Sequence, residues 1–152
     1  MTAACPLQWP SGWKRTPAHS RQGAKFTSYR QRLSIAEACY RLGRELDLLH
    51  AWPLDARTIS SNVQVRRDGT PRSDGREPDD PGVAVYFKLH DKERVLACDK
   101  WDRVADNIAA IAAHIDAIPR RDWPLRDHRD RPLGQQRQPA ATRWCDNVRQ
   151  HS

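Results

Sequence analysis

Apolar residues recur at every third or fourth position in one stretch of the N-terminal half. They are Ile35, Cys39, Leu42, Leu46 and Leu49. Residues at this spacing lie on one face of a helix, so the pattern predicts an amphipathic helix. Ser34 and Glu37 are placed to form a capping box at its start, although a start nearer Ser28 also fits the pattern. Pro53 is expected to end the helix.

A second stretch with the same spacing predicts another helix. Its apolar stripe consists of Val104, Ile108, Ile111, Ile115 and Ile118. Asp99 or Asp102 is the expected N-cap, because an aspartate side chain there accepts hydrogen bonds from the first turn. Pro119 is expected to stop this helix, since proline cannot continue the hydrogen-bond ladder.

Between the two helices, apolar and polar residues alternate, which predicts strands. Residues 58–66 read as a half-buried strand, and residues 83–89 read as a second one. Residues 90–93 are expected to connect the second strand to a third near residues 94–98. The polar stretch 67–82 contains several Gly and Pro turn signals and predicts a long loop.

The order helix, strand, strand, strand, helix predicts an α+β fold. We expect an αβββα two-layer sandwich, with a three-stranded antiparallel sheet and both helices on one face, because the apolar stripes must cover the sheet. The other face of the sheet is then open to water unless an arm covers it. That face carries Asn62, Gln64, Arg66, Tyr86 and Lys88.

The apolar residues are unevenly distributed along the chain. Leu, Ile, Val and Phe account for 26 of the 152 residues, and 21 of these 26 lie in residues 33–118. The total is below the roughly 20% at which disorder becomes a concern. We therefore expect a compact domain over 33–118, a basic Trp- and Pro-rich arm over 1–32, and an Arg- and Pro-rich tail over 119–152 that lacks long regular elements.

The formal net charge of +7 is concentrated at the two ends. Residues 1–50 carry +5, residues 51–118 carry −2 and residues 119–152 carry +4. Basic ends favour a polyanionic partner such as nucleic acid. Two other interpretations stay open: the charge serves solubility, or it reflects high-GC coding, since Arg outnumbers Lys 21 to 5.

Several classes of protein are disfavoured by what the sequence lacks. It contains no apolar run of about 18 residues and no apolar signal-peptide segment, so we expect no membrane partner and a cytoplasmic location in a bacterial host. The four cysteines form no C-x-x-C pair. With no nucleotide loop and no nucleophile motif, we expect neither a cofactor nor a metal, and no enzymatic activity.

A metal-dependent nuclease is the enzyme class that comes nearest to the pattern. Such nucleases place one carboxylate before a strand and an acidic-x-Lys sequence on it. Asp79 and Asp80 precede the second strand, which carries Lys88. Tyr86 stands where the second carboxylate belongs, so a Mg²⁺ site would lack a ligand. We therefore interpret both aspartates as loop residues.

The residues expected to bind a partner combine cations with aromatic rings. Residues 9–13 form an aromatic–turn–aromatic segment whose two tryptophans either stack on bases or, in the interpretation that we prefer, pack the arm against the domain. Basic side chains would contact phosphates, and Tyr86 or a tryptophan would stack. The full set is Trp9, Trp13, Lys14, Arg15, Arg21, Lys25, Arg30, Arg32, Arg66, Tyr86 and Lys88.

The predicted order of elements resembles the double-stranded-RNA-binding domain. That family carries a lysine-rich start to its second helix. The corresponding residues here are 99–103, with the sequence Asp-Lys-Trp-Asp-Arg. Aspartate has the wrong sign for contact with a phosphate backbone, so the resemblance implies the topology without the RNA-binding activity.

Several short motifs also resemble the N-terminal region of bacterial and phage J-domain-containing proteins. The matching segments lie at residues 9–16, 61–62, 68–71, 80–87 and 98–101, within residues 6–118. In that group a J domain follows this region. The chain has no His-Pro-Asp tripeptide, so stimulation of an Hsp70 is not expected, and a natural truncation or frame change is one explanation of the Arg-rich remainder.

Binding is therefore the favoured class of function. The first hypothesis is a non-enzymatic protein of a phage or mobile element that contacts nucleic acid through its basic arms. The alternative is a phage-type inhibitor that binds a host protein complex, such as an anti-CRISPR-like defence blocker, because a basic surface can occupy an acidic site. A chaperone-adaptor fragment is a further alternative. The type of nucleic acid and the oligomeric state stay open.

Overall fold

The computed structural model describes residues 1–28, 30–72 and 75–118. Helix α1, Ile35–Leu48, begins with the predicted capping box: Ser34 Oγ accepts from the Glu37 N–H at 3.2 Å, and the Glu37 carboxylate accepts from the Ser34 N–H at 2.9 Å. The helix ends before Pro53, because His50 adopts a left-handed conformation (φ 56°). The N–H groups of His50 and Ala51 then bond back to carbonyls of the last turn, as in a Schellman motif.

Helix α2, Val104–Ala117, confirms the second predicted helix but not its predicted cap. The N-cap residue is Arg103, and neither Asp99 nor Asp102 occupies that position. Glu77, from the long loop, accepts a hydrogen bond from the Val104 N–H at 3.2 Å. Asp99 accepts hydrogen bonds from the N-terminal arm instead. Pro119, the predicted stop, lies outside the described residues.

The strand at residues 83–89 is confirmed, and its connection to the next strand is shorter than predicted. Strands β5, Val83–Leu89, and β6, Lys92–Cys98, pair antiparallel, with Leu89 opposite Lys92. His90 and Asp91 form the whole connection, and both have positive φ angles, of 51° and 62°. Two consecutive residues of this kind match the right-handed twist of the flanking strands.

Strand β4, Thr58–Ser61, is shorter than the predicted strand over residues 58–66. The Val63 N–H donates to Ser61 Oγ at 3.3 Å, which turns the chain out of the sheet. Beyond it, the chain folds back on itself, because the Arg72 N–H donates to the Gln64 carbonyl at 2.8 Å.

The main sheet has four strands, so the prediction of a three-stranded antiparallel sheet is wrong. The fourth is strand β1, Thr2–Ala4, which pairs parallel with β4, and the strand order is β1-β4-β5-β6. A separate hairpin joins β2, Thr27–Ser28, to β3, Gln31–Arg32. The coarser expectation of an α+β fold is confirmed, and the layout has elements that αβββα does not contain.

The core lies between the sheet and the helices. Helix α2 packs against β5, β6 and α1. Its residues 104–112 are all buried, because it contacts neighbours on more than one side. The largest fully buried side chains include Phe87, Leu33, Leu42, Leu46 and Ile108. Among the described residues, none of the helices combines the length and the apolar character that a membrane crossing requires.

Candidate functional site

The N-terminal arm covers part of the sheet face that points away from the core. The Leu7 N–H donates to Asn62 Oδ1 at 3.0 Å, and the Gln8 N–H donates to Ser60 Oγ at 2.7 Å. The Tyr86 hydroxyl donates to the Gln8 carbonyl at 2.8 Å. Because the arm contacts this face, Ser60 is buried and Tyr86 is half-buried.

Five side chains join the arm to the ends of β5 and β6, and we call this cluster the arm junction. It consists of Arg15, Thr16, Arg21, Asp80 and Asp99. Arg15 Nε donates to Asp99 Oδ2 at 2.8 Å, and Arg15 Nη2 donates to Asp80 Oδ1. Thr16 Oγ1 donates to Asp99 Oδ1 at 2.7 Å, while Arg21 Nη2 lies 3.3 Å from Asp80 Oδ1.

The charges of the arm junction neutralise one another. Burial disfavours the charge on Arg15, but the hydrogen bonds that Arg15 donates to Asp99 and Asp80 outweigh that cost and raise the pKa of Arg15. A Cβ atom at Gly82 would lie 2.9 Å from Arg15 Nη2, so a side chain there would displace the guanidinium. The two predicted phosphate contacts Arg15 and Arg21 therefore hold the arm in place.

The turn before the arm junction brings the two arm tryptophans together. The Trp13 N–H donates to the Pro10 carbonyl at 3.2 Å, with Gly12 at φ 79°. Trp9 Nε1 donates to the Trp13 carbonyl at 3.1 Å, and the Arg15 guanidinium carbon lies 4.3 Å from the centroid of the Trp9 ring. Both tryptophans are half-buried, and the Trp9 ring packs against a cation of the protein itself.

The buried amide of Asn107 fixes the segments behind the arm junction. Its Nδ2 donates to the carbonyls of Pro81 and Trp101 at 2.8 Å and 3.0 Å. Its Oδ1 accepts from the Trp101 N–H at 3.0 Å and from Cys98 Sγ at 3.3 Å. One side chain thus connects the start of β5, the end of β6 and the start of α2. The sequence pattern predicted none of these contacts.

The structure does not arrange the nuclease-like carboxylates for metal chemistry. Within residues 1–28, 30–72 and 75–118, no group of three or more His, Cys, Asp or Glu side chains is placed to hold a metal ion. Asp80 and Asp99 both point at Arg15, and a metal ion between them would have to displace the guanidinium. The arm junction therefore has a structural role in this arrangement.

The remaining predicted cations fall into different places. Lys14 and Arg66 are exposed, on the arm and on the turn after β4, and Lys88 is half-buried on β5. Lys25 precedes the β2–β3 hairpin, Arg30 lies in its turn, and Arg32 lies on β3; all three are exposed. The predicted contribution of residues 119–152 lies outside the described residues.

The β2–β3 hairpin is joined to α1 by a hydrogen bond, and both elements carry cations. Arg41 Nη2 donates to the Thr27 carbonyl at 2.9 Å, which joins the helix to the hairpin. Arg44 lies one turn further along the exposed side of α1. We call this surface the α1 basic face; it consists of Lys25, Arg30, Arg32, Arg41 and Arg44.

The binding set predicted from the sequence did not contain Arg41 or Arg44. The predicted set also did not contain Tyr40, which is 70% exposed. The signal was present in the helical periodicity, since Tyr40 and Arg44 are four residues apart and face away from the apolar stripe.

Comparisons of the chain with protein-family models, with curated proteins and with solved structures found no match. The resemblance to J-domain-containing proteins and the phage or mobile-element origin stay predictions from the sequence. The function is therefore inferred from the described residues alone.

Proposed function

We propose that this chain is a non-enzymatic protein that binds nucleic acid through the α1 basic face. The observation that carries the proposal is the group of exposed cations before α1, next to the two arginines on the helix. Residues 25–48 contain five basic residues and three acidic ones, Glu37, Glu45 and Asp47. An excess of positive charge on one surface attracts the phosphate backbone, and binding is favoured by the release of counterions.

Side chains of this face suit contacts to phosphate. A guanidinium presents donors in a planar fork that matches phosphate oxygens, and Arg32 and Arg44 are both exposed. Phosphate contacts position a protein on nucleic acid but carry no sequence information. We therefore propose binding without strong sequence preference, with dissociation constants of about 1–100 μM at physiological salt.

In this proposed mode of binding the main contact lies on α1 and its hairpin, and not on the N-terminal arm. Arg15 and Arg21 are paired with Asp80, so a phosphate would have to compete with a carboxylate that is already in place. Arg32 and Arg44 are both exposed, and Arg32 is near enough to Asp106 to act on it electrostatically. Lys14 stays available as a further contact at the edge of the arm.

Fluorescence anisotropy with labelled DNA and RNA oligonucleotides at about 50 mM salt tests the proposal. The variant Arg32→Gln/Arg44→Gln removes two cations of the α1 basic face. The control Arg67→Gln/Arg76→Gln removes the same charge from exposed positions in the stretch between β4 and β5. We expect roughly a tenfold or greater loss of affinity for the first variant only, since each phosphate contact contributes to the electrostatic affinity.

Two results would count against the proposal. The first is that the wild-type protein binds neither DNA nor RNA at low salt. The second is that the two double variants lose affinity equally. The second result would show that net charge, and not this face, determines binding.

A further inference from the structure

Two aromatic side chains stand out from the described surface by their exposure. Tyr40 is 70% exposed and Trp52 is 53% exposed, the two highest values among the large apolar side chains of residues 1–28, 30–72 and 75–118. In contrast, Trp9 and Trp13 are half-buried and Trp101 is buried. A large ring left in water loses the favourable burial that it would gain against another flat apolar surface.

Tyr40 lies on the side of α1 that carries Arg44, and Trp52 follows the end of the helix. Tyr40 and Arg44 are neighbours on the helix surface because four residues separate them. Asp47 follows Arg44 by three residues, and its Oδ1 accepts from Arg57 Nη1 at 2.7 Å. The guanidinium carbon of Arg57 lies 5.7 Å from the centroid of the Trp52 ring. Arg57 thereby links Trp52 to Asp47, which lies in the last turn of α1.

One exposed cation of α1 lies beside Tyr40. Arg44 is four residues from Tyr40 and three from Asp47 along the helix. The carboxylate of Asp47 is paired with the buried Arg57 guanidinium, which offsets its repulsion of a phosphate. Aromatic rings that alternate with cations are the arrangement with which proteins bind unpaired nucleotides.

We infer that the α1 basic face prefers single-stranded to double-stranded nucleic acid, with Tyr40 and Trp52 stacking on unpaired bases and Arg44 contacting a phosphate between them. This inference rests on the proposed function, because it names the ligand of the same surface. In a duplex the faces of the bases are covered by their neighbours, so the two rings have nothing to stack on. A single strand offers both its backbone and its base faces.

The test compares affinities for a labelled single strand and for its duplex of equal length, at one salt concentration. The variants are Tyr40→Ala and Trp52→Ala, with Tyr40→Phe and Trp52→Phe as variants that keep a ring. Leu54→Ala is the matched control, because Leu54 is 45% exposed and apolar but not aromatic. Because all three side chains are exposed, we expect every variant to unfold at the same urea midpoint as wild type. Equal midpoints would show that each variant folds.

We expect tighter binding to the single strand, and a roughly 5- to 150-fold loss of that affinity in each alanine variant. The phenylalanine variants and Leu54→Ala should bind within about threefold of wild type. Equal or tighter binding to the duplex, or alanine variants that bind like wild type, overturns the inference while leaving the proposed function intact. Absence of salt-sensitive binding to either form overturns both.

Discussion

Arg15 and Asp99 are separated by 84 residues in the chain, yet Arg15 Nε lies 2.8 Å from Asp99 Oδ2. The Asp99 side chain is only 5% exposed. It also accepts hydrogen bonds from the N–H and the hydroxyl of Thr16. One buried carboxylate therefore holds two consecutive residues of the N-terminal arm against the end of β6.

The first prediction concerns the stability of this contact. Asp99→Asn replaces an acceptor oxygen with an NH₂ group that faces donors, so at least one donor of the arm loses its partner. We expect the free energy of unfolding, measured with urea, to fall by about 2 kcal/mol. Trypsin should also cleave after Lys14 and Arg15 faster than in wild type, because the arm detaches more often.

Asp116→Asn is the matched control for this substitution, since Asp116 is exposed on α2. It should change the free energy of unfolding by less than about 0.5 kcal/mol. Equal stabilities of Asp99→Asn and Asp116→Asn would mean that the arm junction does not hold the arm.

The second prediction concerns Asn107, which is fully buried and makes four hydrogen bonds. Asn107→Ala leaves the Trp101 N–H and two carbonyls without this partner in a dry environment. We expect a loss of roughly 3 kcal/mol in the free energy of unfolding, because buried polar groups without partners are costly. A loss below about 1 kcal/mol would show that the surrounding groups find other partners.

Much of the fold could be predicted because its signals are local. The capping box of α1 involves residues three apart, and strand 83–89 alternates along its whole length. The strand that was not predicted, Thr2–Ala4, has three residues and no alternation of apolar and polar positions. It pairs with β4, which lies more than fifty residues away in the chain. Asp99 was expected to cap α2 because the pattern cannot show that Arg15 binds it.

The site was harder to predict for the same reason. The sequence shows which side chains are cationic, but the fold determines which carboxylate lies next to each of them. Arg15 and Arg21 are predicted phosphate contacts, and the sequence pattern does not show that the fold pairs both with Asp80. Arg44 and Tyr40 lie within a helix whose apolar stripe was recognised, so their exposed position could have been inferred from the same periodicity.

The third prediction is a pH dependence that arises from Asp106. Its side chain is buried in the first turn of α2, and its Oδ1 has no hydrogen-bond partner among the described residues. Burial raises the pKa of Asp106, and Arg103, 3.9 Å away, offsets this only in part. The folded state therefore binds this proton more tightly than the unfolded state does, and stability falls as pH rises through the raised pKa.

Urea unfolding of wild type and Asp106→Asn between pH 4 and pH 7 measures this effect. Carboxylates such as Glu37, whose hydrogen bonds to Ser34 lower its pKa to about 2, titrate in both proteins and cancel in the comparison. We expect the stability of the variant relative to wild type to increase with pH. A constant difference would mean that Asp106 has the same proton affinity in both states.

The fourth prediction separates a structural role of Tyr86 from a role in stacking. Tyr86→Phe keeps the ring but removes the hydrogen bond to the Gln8 carbonyl. We expect the free energy of unfolding to fall by about 1 kcal/mol, with nucleic-acid affinity unchanged. Calorimetric melting and anisotropy on the same samples check the two parts. A loss of affinity at unchanged stability would make the hydroxyl a contact to the ligand.

The central claim is that specific cations on α1 and its hairpin contact phosphates. The most direct measurement is the slope of log K against log salt concentration for wild type and for Arg32→Gln/Arg44→Gln. Each lost phosphate contact should reduce the magnitude of the slope by about 0.7 for a single strand, so the double variant should differ from wild type by roughly 1.4. Slopes that coincide for the two proteins would contradict the claim.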